Sequence, residues 1–150
     1  MVQRIKNLRL LFFILITTIS LTACSTMYNS IDVNHTLGLD TDSSIQNVQT
    51  MNANQLYGVS NNNLCVAYYQ NQPPLVKDEI NRRKLVTSYF DWKNINSHET
   101  KPGMNLCGVL ASLGKPNSLD SGDQFLELHY DGKTVVMRKK NGIFEVVDNN

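Results

Sequence analysis

Three cysteines and three histidines carry most of the chemistry available to this chain of 150 residues, and their spacing limits what that chemistry is. His35, His98 and His129 lie far apart, and no two fall at the short spacing by which one helix or loop presents two metal ligands. The sequence therefore implies no metal site. Cys107 with His98 would make a nucleophile and base, and His129 with Glu127, on one face of a strand, an acid–base pair. Each has a plainer reading: Cys107 as one half of a disulfide, His129 as part of a solvated strand surface. The glycines at 103, 108, 114 and 122 fit caps and turns and form no phosphate-binding loop. The expectation is a protein with no catalytic residues and no bound cofactor.

Cys24 calls for a different chemistry. Arg4, Lys6 and Arg9 precede an uncharged apolar run from Leu10 to Leu21, short enough for the core of a secretory signal and too short for a stable membrane span. Leu21-Thr22-Ala23-Cys24 then resembles the bacterial lipobox. The small Ala23 lets a signal peptidase reach the next bond, and the Cys24 thiol is the nucleophile that takes up diacylglycerol. The resemblance implies a signal peptide over residues 1–23 and covalent diacylglycerol plus an N-acyl chain on Cys24. One acyl chain binds a bilayer only marginally, whereas several hold the protein there permanently. Ser25, rather than Asp, follows the cysteine, which by the sorting of such lipoproteins implies the outer membrane, facing the periplasm.

Loss of residues 1–23 would leave 127 residues, enough for one small domain. Eleven Lys and Arg then face 13 Asp and Glu, a formal charge of −2, which argues against nucleic-acid binding. With Cys24 acylated, Cys65 and Cys107 remain as an even pair in an exported, oxidising setting, and a disulfide is expected. Residues 24–63 are rich in Asn, Ser, Thr and Gln, and the apolar residues Ile31, Leu37, Leu39, Ile45 and Val48 are scattered among them. This segment reads as a flexible tether with a reach of roughly 30 to 35 Å, apart from a short element allowed over 45–56.

Beyond it the pattern is α+β. Residues 64–69 read as one or two helical turns capped by Asn63, and Pro74 opens a helix over 75–85 with Val76, Ile80 and Leu85 as its apolar stripe. Asp78/Arg82 and Glu79/Arg83 are spaced as i,i+4 pairs along it. Ser88 starts a third helix with Tyr89, Trp92 and Ile95 inward. Asn105 starts a fourth that ends at Gly114. Asp131-Gly132 and Asn141-Gly142 are two-residue hairpin signals. Counting outward from both turns gives a three-stranded antiparallel meander, with Leu128 opposite Val135, Leu126 opposite Met137, and Met137 opposite Val146. Leu126, Leu128, Tyr130, Val135, Met137, Phe144 and Val146 then share one face. The other face carries Phe125, Glu127, His129, Val136, Arg138, Glu145 and Val147, with Arg138 and Glu145 placed for a cross-strand ion pair.

Gly103-Met104, a helix containing Val109 and Leu110, Leu113-Gly114-Lys115-Pro116, a strand ending in Tyr130 and a last strand opened by Asn141-Gly142-Ile143 resemble the small outer-membrane lipoproteins typified by BamE (SmpA, OmlA). The resemblance covers about residues 87–148 and implies an αα-βββ unit. Residues 64–86 are an addition to it and resemble the Cys-bearing helical extension of uncharacterised bacterial lipoproteins, giving a domain over 64–150. The function implied is non-enzymatic: a lipid-anchored binding or scaffolding module in envelope or outer-membrane-protein assembly. The same unit also occurs in inhibitor-type proteins, so an alternative is a sheet face that captures an enzyme or ligand. Phe125, Glu127, His129, Val136, Arg138 and Val147 are the candidate partner-binding residues. Two fates remain for their face: cover by the helices of 64–86, or docking of an envelope protein. Arg138-Lys139-Lys140 reads as a soluble strand end or a contact with anionic lipid headgroups.

Overall fold

The computed structural model describes residues 32–86 and 88–149. The signal peptide expected over residues 1–23, Cys24 and the first part of the expected tether lie outside the described residues. Folded chain begins at once: α1 (Val33–Leu37), α2 (Asp42–Val48) and α3 (Ala53–Leu56) occupy the segment expected to be a flexible tether. Each has a polar N-cap. Asp32 accepts from the Asn34 backbone N–H and Thr41 from Ser44, while Asn52 and Gln55 form a reciprocal capping box. Val33, Leu37, Leu39, Ile45, Val48 and Leu56 are all buried in the common core. Helices this short are marginal alone, and their sparse apolar residues suffice here because tertiary packing supplies the stability. The tether reading is thereby corrected for residues 32–63.

α4 (Asn61–Asn71) is the centre of the helical layer, with Asn63 through Tyr68 buried without a break. Six consecutive buried residues span more than a full turn, so the middle of the helix is enclosed on every side, and α4 packs against α2, α5 (Pro74–Arg82) and α7 (Leu106–Leu113). Its cap is Ser60, which accepts from the Asn63 N–H. Asn63, expected to be the cap, instead turns inward, where its Oδ1 accepts from the Asp40 N–H at 3.0 Å and its Nδ2 donates to the Asp40 carboxylate at 2.5 Å. The structure joins Cys65 to Cys107, Cα atoms 5.3 Å apart, tying α4 to α7. Gln72 ends α4 in the left-handed conformation, and Pro74 opens α5 at its first helical position.

Ser88 caps α6 (Tyr89–Asn96) and Asn105 caps α7, both as the sequence implies. Ile95 is buried and Trp92 packs against the core, but Tyr89 is 85% exposed rather than inward. Gly114 ends α7 at φ 77° and ψ −155°, a region essentially restricted to glycine. A Cβ there would also stand 2.7 Å from Cδ1 of the Tyr69 ring. Strain and overlap act together, so Gly114→Ala is expected to destabilise the protein by about 2 kcal/mol or more, read as a lower urea midpoint.

Among the described residues the sheet has four strands, not three: β1 (Ser118–Gly122), β2 (Phe125–Tyr130), β3 (Lys133–Lys140) and β4 (Ile143–Asn149), neighbours in chain order and all antiparallel. Leu126 faces Met137, Leu128 faces Val135 and Met137 faces Val146, the register counted from the two turns. β1 escapes the sequence pattern because Ser118-Leu119-Asp120-Ser121-Gly122 has one apolar residue. That residue, Leu119, pairs with Leu128 and is buried. Inner-face Leu126, Leu128, Val135, Met137 and Val146 join the helices in one core. The Tyr130 hydroxyl donates to the Gly114 carbonyl at 3.2 Å, and burial pushes its phenol well above the usual range. The outer edge of β4 is covered by residues 103–105: the Gly103 N–H donates to the Val146 carbonyl and the Val146 N–H to the Met104 carbonyl. Covering an edge removes a template for aggregation.

Candidate functional site

Among the described residues the helices lie on one side of the sheet, where α7 meets β4 and the inner-face side chains join the helical core. Residues 64–86 pack on α7 and α2 and not on the opposite face, so the cover expected from them is absent. Phe125, Glu127, His129 and Val136 are half-buried there, while Arg138 and Val147 are exposed. All six candidate residues thus share one open surface. Antiparallel pairing arranges it in cross-strand rows: Gly122, Phe125, Arg138 and Glu145 in one, Asp120, Glu127 and Val136 in the next, Ser118, His129 and Thr134 in the third.

The first row is aromatic and cationic. The Phe125 ring lies against Gly122, where any Cβ would overlap it. The Arg138 guanidinium sits 5.6 Å from the centre of that ring, within cation–π range. Arg138 is opposite Glu145 in register, but the expected ion pair between them is not made. Glu145 meets Lys140 instead, at 3.8 Å. A bulge between Val136 and Met137 leaves Val147 as the extra residue of β4, 48% exposed.

The second and third rows are polar. His129 donates from Nε2 to Asp120 Oδ2 at 2.9 Å, and its Nδ1 lies 3.2 Å from Thr134 Oγ1. Glu127 stands directly opposite Asp120. One donor atom from each of Asp120, Glu127 and His129 falls within 4.8 Å of the other two. The histidine spacing in the sequence concealed this group, because two of its members are carboxylates and one belongs to the strand that the pattern missed. The legible signal was the alternation around Leu119 just before a Gly-Asp turn.

The nucleophile reading of Cys107 finds no support, since its sulfur is bonded to Cys65. His98 donates from Nδ1 to the Ser112 carbonyl at 3.0 Å and lies edge-on to Tyr69. His129 turns to Asp120 rather than to Glu127, so the acid–base pair named from the sequence is not formed. Away from the sheet, Tyr89 and Phe90 stand exposed at the start of α6. Beside them the Lys77 ammonium lies 4.9 Å over the Trp92 ring. Comparison with family models, with curated proteins and with solved structures finds no match for this chain.

Proposed function

We propose that this protein is a non-enzymatic lipoprotein, held to the outer membrane through acylated Cys24, whose BamE-like α+β domain docks an envelope or outer-membrane protein on its outer sheet face. The observation that carries this reading is the asymmetry of the sheet. One face is sealed by helices, while the other leaves Phe125, Val136 and Val147 beside Arg138 with no helix over them among the described residues. Apolar residues flanked by an arginine and an aromatic match the composition of interface centres.

Asp32, the first described residue, lies eight residue steps beyond Cys24, a length that spans at most about 28 Å. The domain would therefore work close to its anchor. Confinement to the membrane surface raises its effective concentration near a membrane-bound partner.

The test is photo-cross-linking in envelopes of the native host. A photoreactive residue at 136 is expected to trap one discrete envelope protein, and the same residue at exposed Gln46 on the helical side is not. Arg138→Glu should reduce the cross-link about tenfold, since hot-spot arginines contribute more than 1 kcal/mol. A Cys24→Ser protein that remains in the membrane fraction, or equal trapping from positions 136 and 46, would defeat the proposal.

A further inference from the structure

We propose that Asp120, Glu127 and His129 form a binding site for one divalent transition-metal ion of the zinc class. Three side chains from two adjacent strands bring an imidazole nitrogen and two carboxylate oxygens within 4.8 Å of one another. One nitrogen with two oxygens is a donor set that suits zinc and its neighbours better than calcium or magnesium, which take oxygen ligands alone.

The sheet itself supplies an independent reason. Asp120 and Glu127 are direct cross-strand partners, and like charges in that position repel and destabilise a sheet. Asp120 meets His129 at 2.9 Å, while Arg138 lies on the Phe125 ring and Lys140 lies beside Glu145. Glu127 makes no hydrogen bond or ion pair with any of the described residues. A bound dication would turn this repulsion into attraction.

Thr134 makes His129 ready for either state. Without metal, Nε2–H donates to Asp120 and Nδ1 accepts from the Thr134 hydroxyl. With metal on Nε2, the ring proton moves to Nδ1 and donates to the same hydroxyl, which can serve in both roles. A second partner of this kind fixes the ring orientation of a ligating histidine. Zinc ligands at about 2.0–2.2 Å from the ion lie closer together than the widest pair here, so the carboxylates close inward by rotation while the paired strands stay in place. Three protein ligands leave a coordination position for water or another donor.

The test uses the untagged full chain in detergent micelles, with Zn²⁺ as the probe and EDTA as the metal-free reference. One equivalent of Zn²⁺ should bind by calorimetry, and excess Zn²⁺ should raise the melting temperature by about 3 °C or more. His129→Gln and Asp120→Asn should each weaken binding about tenfold or more. Glu127→Gln should melt above the wild type in EDTA, because the carboxylate repulsion is gone, and should gain less from Zn²⁺. Identical melting of the wild type in Zn²⁺ and EDTA would overturn the site. So would undiminished one-equivalent binding by His129→Gln, which would place the ion elsewhere.

Discussion

Breaking the bond between Cys65 and Cys107 is expected to lower the stability of the domain by about 4 kcal/mol, the chain entropy released when a closed loop of this length opens. The bond encloses α5 and α6 and joins two helices whose facing residues are almost fully buried. Its loss frees the unfolded chain, and the folded state also loses a fixed point between its two central helices. A Cys65→Ala, Cys107→Ala protein should show a urea midpoint about 2 M below the wild type, given the usual slope for a domain of this size. Reduction of the wild type should bring its midpoint to nearly the same value. Cys107→Ser alone should be worse than the double alanine protein, because it buries a new hydroxyl and leaves an unpaired thiol at Cys65. If the oxidised and reduced proteins unfold at the same urea concentration, the staple has no part in stability.

Replacing Arg83 should have the next largest effect. Its Nε donates to Glu79 at 2.6 Å, Nη1 to the Val59 carbonyl and Asn61 Oδ1, and Nη2 to the Leu56 and Tyr57 carbonyls. One guanidinium therefore fastens the turn between α3 and α4 to α5. Glu79 is buried and bonded to Arg82 as well, also at 2.6 Å, whereas the expected Asp78–Arg82 pair is not formed. Arg83→Met would leave that carboxylate half-compensated and several carbonyls without their donor. The expected loss is about 3 kcal/mol, measured by urea unfolding. Arg83→Lys should recover only part of it, since an ammonium cannot reproduce the planar fork. A double-mutant cycle with Glu79→Gln should show coupling between the two sites; simple additivity would contradict the network.

The same carboxyl predicts an acid sensitivity. The bond from Arg82, aided by Arg83, holds Glu79 down at about 2 against the opposing effect of burial. A carboxyl lowered on folding stabilises the native state fully above its ordinary value near 4.5, and that share is lost as pH falls from there toward 2. Wild-type stability should fall across that window more steeply than that of Glu79→Gln. Parallel pH profiles for the two proteins would show that the arginines do not act through this group.

Local patterns of short range were legible without any structure. The caps at Ser88 and Asn105, the stop at Gly114 and the two hairpin turns depend on a few adjacent residues, and each appears where expected. The register of β2, β3 and β4 followed because a turn of known length leaves only one way to align alternating apolar residues. The six residues of the outer face were identified by the same counting. What failed was inference from sparse burial. A helix in isolation needs a broad apolar stripe, but α1 with Val33 and Leu37 and α2 with Ile45 and Val48 contribute only two buried residues each to a core centred on α4. β1 was hidden for the same reason, with Leu119 as its only inward apolar side chain.

From the amino-acid order alone came the α+β class, the pairing of the two cysteines, the meander with its two faces and the anchor expected at Cys24. Only the three-dimensional packing decided which face the helices took, that residues 32–63 belong to the domain, and that Asp120 stands beside Glu127 and His129. The division follows from the range of the forces. Turns, caps and side-chain alternation act over a few residues of chain, whereas burial of a lone leucine and the meeting of charges on separate strands depend on neighbours that the chain brings near only after it has folded.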